Sequence, residues 1–174
     1  MTSLVKPVAG TYPTYFDNYI SLVKGEHIYE ELYQSYMDTM ELVTSLDLET
    51  LHFRYAEGKW TILDILQHIM DAERIFCYRA LCFARMEKVA LPGFDENEYV
   101  IAGKATVRNI NDMVREFSLL RASTIELFKS FTVEMLDSIG NANGKDVTPR
   151  AILFAILGHE IHHRNIIQQL YMNV

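Results

Sequence analysis

Cysteine is nearly absent from the chain: its 174 residues hold only Cys77 and Cys82. A separation of five within one helical stretch points the two side chains apart, which excludes a bridge between them and leaves reduced core thiols. A cluster of cations is missing as well, with 16 Lys and Arg against 23 Asp and Glu and a net charge of −7. Such a surface repels phosphate backbones, so nucleic acid is a poor partner. No apolar run reaches transmembrane length and no signal or transit peptide is visible, so no membrane partner is expected and a cytoplasmic, reducing setting is the default. The chain also lacks a persuasive strand run, an internal repeat, an obvious nucleophile and a phosphate loop. The last two absences keep open a metal-binding or stress-response module without turnover.

What is present is apolar content arranged at helical spacing. With 49% hydrophobic and 22% charged residues, residues 1–174 fit one globular domain with a sizeable core. Residues 1–25 carry Pro7, Gly10, Pro13 and Gly25 among Tyr12, Tyr15, Phe16 and Tyr19, an arm expected to pack across the rest. Ile28, Leu32, Tyr36, Met40 and Val43 predict a first helix over 26–46. Glu57-Gly58-Lys59-Trp60 reads as a turn, and Thr61 with Asp64 reads as a capping box opening a second helix over 62–86. The stretch 88–105 holds a Pro-Gly turn and the acids Asp95, Glu96 and Glu98, which read as a solvated charge run in a long loop. Thr106 is expected to cap a third helix to about 130, followed by a short helical piece at 132–138 and a loop at 140–144. Thr148-Pro149 marks the start of a fourth. Four amphipathic helices imply an all-α fold, a four-helix bundle of left-handed antiparallel type.

The fourth helix contains Gly158-His159-Glu160-Ile161-His162-His163-Arg164. At about 100° per residue, Ile152, Ile156, Ile166 and Leu170 define a core stripe, with His159 and His163 within about 20° of its centre and His162 about 80° away. Side chains at i and i+4 lie one above the other, so His159 and His163 suit either two core histidines or a metal clamp. Read through His163, the segment also matches H-E-x-x-H with Glu160 as general base, although Glu160 falls well off the stripe. On the second helix His68 sits at the edge of the apolar face. Glu73 points toward the core and needs an Arg or the free N–H of a metal-bound imidazole as its partner. Arg79 lies on the same edge as His68, where it could meet an anionic substrate group or make a surface salt bridge.

Gly58-Lys59-Trp60-Thr61, His68, Glu73, Arg79, Leu91-Pro92-Gly93-Phe94-Asp95-Glu96, Gly158-His159-Glu160 and His163 together resemble the DinB-like superfamily, in the branch with YfiT-like metal-dependent hydrolases. The resemblance spans about residues 26–172. It implies a bundle, often a homodimer, in which His68, His159 and His163 hold a divalent ion, zinc or nickel. It further implies a small-molecule substrate and, for many members, a low-molecular-weight thiol as co-substrate of a transferase or isomerase. Three neutral imidazoles leave an open position on such an ion. A thiolate there would attack a small electrophile; a water there would hydrolyse a small ester or amide, with Glu73 or Glu160 as the candidate base.

Overall fold

Aromatic residues in an interrupted segment can leave water only by lying against something else, and the N-terminal arm does so. The computed structural model describes residues 4–172. A 3-10 turn at Thr14–Phe16 leads into the one-turn helix α1 (Asp17–Ile20), with Phe16 and Ile20 buried. Helix α2 (Ile28–Thr44) buries all five positions of its expected stripe. The connection after it contains α3 (Leu48–His52), capped by Asp47, which accepts from the Thr50 N–H at 2.8 Å. Helix α4 (Ile62–Ala84) opens on the capping box: Thr61 Oγ1 accepts from the Asp64 N–H at 3.1 Å and Asp64 accepts from the Thr61 N–H at 3.0 Å. It stops short of Met86, whose φ of 63° cannot continue a right-handed helix.

Three expectations for the following stretch are corrected. The segment 88–105 is not an unstructured loop, since it holds α5 (Glu96–Gly103), where Asp95 accepts from the N–H groups of Asn97 and Glu98. Thr106 lies in a 3-10 turn, Ala105–Val107, and Asn109 caps the next helix, α6 (Ile110–Lys129). After the short α7 (Val133–Leu136), residues 140–147 form a hairpin of β1 (Gly140–Ala142) and β2 (Lys145–Val147). Its turn residues Asn143 and Gly144 both have positive φ, 53° and 71°, the two-residue turn whose twist matches antiparallel strands. Leu91 exchanges two backbone hydrogen bonds of 2.9 Å with Asn141 and Asn143, which ties the Pro-Gly segment to the hairpin. Helix α8 (Pro149–Leu170) starts where expected, with Thr148 Oγ1 accepting from the Ala151 N–H.

The four long helices form a bundle in which α2 and α4 each pack against both α6 and α8. The diagonals are therefore α2 with α4 and α6 with α8, whereas α4 and α6 are neighbours. The apolar core is split in two. One cluster takes Ile28 and Leu32 from α2, Phe76 and Phe83 from α4, Phe128 from α6 and Ile152 and Ile156 from α8. The other takes Tyr36 and Met40, Ile62 and Ile69, Met113 and Phe117, and Ile167 from the same four helices. Between them each helix contributes buried polar residues: Ser35 and Thr39, His68 and Glu73, Arg121 and Thr124, His159, Glu160 and His163. Every residue of α8 from Ala151 to Glu160 is buried, because α1, α2, α4 and α7 surround that half. Gly158 permits this packing, since a Cβ there would stand 2.1 Å from the Tyr19 carbonyl oxygen of α1. The expected stripe weakens toward its far end, where Ile166 is half-buried and Leu170 is 42% exposed. Among the described residues no helix is long and apolar enough to cross a membrane.

Candidate metal centre

The polar layer brings His68 of α4 against His159 and His163 of α8. His68 Nε2 lies 3.0 Å from His159 Nε2, and His163 Nε2 lies 3.1 Å from the same atom. Donor atoms of the three rings all fall within 4.8 Å of one another. All three histidines are buried. His68 is not at a wetted edge, because Trp60 and the two histidines of α8 lie against its ring. The rings are braced by aromatic neighbours. Trp60 lies 4.9 Å from the His68 ring and stacks at 25° on His163, while Tyr19 meets His159 edge-on at 5.3 Å. Trp60 is fixed in turn by the Tyr171 hydroxyl, which donates to its carbonyl oxygen at 2.6 Å.

An imidazole nitrogen offers one in-plane proton or one lone pair, not both. His159 Nε2 therefore cannot donate to both neighbours. Three Nε2 lone pairs aimed at one point describe the arrangement better, and tetrahedral ligation at about 2.0–2.1 Å places nitrogens about 3.3 Å apart. Burial pushes the pKa of His68 down to about 4, with the Glu96 carboxylate acting the other way. Burial and the neighbouring imidazoles bring His163 to about 3 and His159 well below its ordinary value. All three rings are thus neutral at pH 7, the form that binds a cation. The donor set fits a divalent ion with one position left open.

A cavity of 390 Å³ lies against these rings, lined also by Tyr15, Phe76, Arg79, Phe94, Glu96, Asn143 and His162. A larger groove of 890 Å³ between Leu4, Tyr33 and Leu136 contains no histidine or cysteine. Of the residues singled out from the sequence, the structure brings His68, His159, His163 and Arg79 to one cavity. Glu73 and Glu160 are elsewhere. Arg121 donates from Nε and Nη2 to Glu73 at 3.1 and 2.8 Å and from Nη1 to Glu160 at 2.7 Å. Glu160 also accepts from Thr39 Oγ1 at 2.6 Å. Burial alone would lower the pKa of Arg121, but the Glu160 and Glu73 carboxylates outweigh it and raise it. The partner demanded by Glu73 is an arginine, not an imidazole. Arg121 went unnoticed in the sequence although it sits in phase with Phe117, Ile125 and Phe128 on the core face of α6. Glu96 was also missed, and its signal was Asp95 acting as an N-cap ahead of it.

The DinB superfamily model matches residues 31–167. A protein of Oceanobacillus iheyensis named "Putative metal-dependent hydrolase OB0413" is 26% identical over 125 residues, covering 71% of each chain. The solved structure of YfiT from Bacillus subtilis, described as a probable metal-dependent hydrolase with an unusual four-helix bundle topology, superposes with a TM-score of 0.72 over 97% of this chain and 93% of that one, at 17% identity.

Proposed function

As the chain belongs to the DinB superfamily, we propose that it is a metal-dependent hydrolase of a small ester or amide, with His68, His159 and His163 as the ligands. The observation that carries this is the clustering of donor atoms of three buried histidines, all within 4.8 Å of one another, on the wall of a cavity. A divalent ion, zinc or nickel, would lower the pKa of a water toward about 7 and polarise the scissile carbonyl. The chain supplies the rest. Glu73 and Glu160 are held by Arg121, so Glu96 is the carboxylate that faces the cavity. Glu96 takes the proton of the attacking water as its oxygen bonds to the acyl carbon, and returns that proton to the departing alcohol or amine. Trp60, Phe76 and Phe94 exclude bulk water around the bond being cut. No cysteine lines the cavity, so the thiol-dependent transfer that the family resemblance also implies needs a sulfur from solution.

The test begins with metal analysis of protein purified without a histidine tag. One ion per chain is expected, with hydrolysis of small ester or amide substrates that chelation stops and added metal restores. Parallel reactions with a chlorodinitrobenzene and several small thiols decide between water and sulfur as nucleophile. Metal-free protein, or hydrolysis indifferent to chelation, would reject the proposal.

A further inference from the structure

Arg79 is 8% exposed, yet no carboxylate among the described residues lies within ion-pair distance of it. Its Nη2 donates to the Pro92 carbonyl oxygen at 2.7 Å, and its guanidinium carbon stands 5.9 Å from the centre of the Phe94 ring. A guanidinium has five N–H donors in a planar fork, so this one bond leaves most of them without a protein acceptor. The contrast with Arg121 is direct, because that buried guanidinium, on the neighbouring helix α6, meets two carboxylates. A buried, unpaired cation is costly to keep. Arg79 borders the histidine cavity, whose remaining wall is mostly aromatic and whose volume is near the lower end of small-molecule sites, about 300 Å³ and upward.

We propose that Arg79 is the anion-binding residue of this cavity and that the molecule it accepts carries a carboxylate on a flat apolar body. The planar fork takes a carboxylate through two parallel N–H···O bonds, and Trp60, Phe76 and Phe94 enclose the body. This rests on reading the cavity as the substrate site of the proposed hydrolase. The substrate is then a small carboxylic acid bearing the ester or amide to be cut, with its carboxylate at Arg79 and the scissile bond at the histidines.

Trp60 is the single tryptophan of the chain and lines the same cavity, so its fluorescence reports entry without any turnover. Metal-free protein, kept so by a chelator, is titrated with phenylacetate and with phenylacetamide at pH 7.5. Working without metal removes direct ligation of the carboxylate and makes the result independent of whether the hydrolase proposal holds. Phenylacetate is expected to bind about tenfold more tightly than the amide. Arg79→Gln abolishes that preference and Arg79→Lys keeps part of it as a point charge, with circular dichroism confirming that both variants fold. An equal response to the two ligands, including none to either, or a preference that survives Arg79→Gln, overturns the proposal.

Discussion

Helices α4 and α8 carry two buried polar clusters side by side, and the difference between them separates a site from a strut. Glu73 and Glu160, with Arg121, form a closed network in which 1%, 2% or none of each side chain is exposed and every charge has an opposite at 2.7–2.8 Å. Arg164 adds a second cation 3.8 Å from Glu160. Five residues from Glu73 and one from Glu160, the imidazoles of His68 and His159 meet nitrogen to nitrogen, with no carboxylate among the described residues in an ion pair with them and, at their side, a cavity that Glu96 also lines. The first cluster satisfies itself. The second is completed only by something that arrives from outside.

The largest effect should come from breaking the closed network. Arg121→Met leaves Glu73 buried without a cation and Glu160 with only Arg164 at 3.8 Å, and removing one member of such a network costs about 3–5 kcal/mol. Urea titration should show that loss as a lowered midpoint. A variant that also carries Glu73→Met and Glu160→Met should recover much of it, because apolar replacement of a whole buried ion cluster is often neutral. A midpoint unmoved by Arg121→Met would mean that the network holds nothing together.

Breaking the histidine cluster should instead spare the fold and remove the ion. His68→Ala, His159→Ala or His163→Ala each leaves two protein ligands and should abolish tight metal binding by elemental analysis, with a smaller shift in urea midpoint than Arg121→Met. Acid should discriminate as well. The folded pKa values of His68 and His163, about 4 and about 3, lie below the ordinary value of about 6.5. Between those limits the unfolded chain therefore binds more protons than the folded one. The stability from these neutral rings is complete above about pH 6.5 and declines as pH falls toward 4 and 3. Melting temperatures of chelated protein from pH 7.5 to 4.5 should fall less steeply for His163→Ala than for the unaltered chain.

Much of this was legible in the sequence because helical phase is a local property. The stripes of α2 and α4, the capping box at Thr61 and the Thr148-Pro149 start all appear where expected. What escaped was non-local. His68 looked like an edge residue because one helix in isolation does not reveal that Trp60 and α8 cover it. Asn143-Gly144, a strong hairpin signal, reads as a loop when its flanks are only three residues long. Glu160 resembles a general base by its place in H-E-x-x-H, and only the third dimension shows its carboxylate turned to Arg121 and Thr39.

The smallest effect is expected at His162, and it tests the helical register most closely. Its ring is half-buried, packs edge-on to Tyr19 at 5.6 Å and to His163 at 5.1 Å, and borders the cavity. Proximity alone would thus admit it as a ligand. The donor atoms that converge belong to His68, His159 and His163, because a step of three residues from His159 turns His162 about 60° away, whereas a step of four brings His163 back to within about 40°. His162→Ala should keep one ion per chain and weaken it by no more than the roughly 10- to 100-fold typical of residues that support ligands. The loss would arise through looser packing of Tyr19 and His163. Competition with a chelator measures this directly, and a metal-free His162→Ala beside a metal-loaded His163→Ala would mean that the adjacent histidine is the ligand.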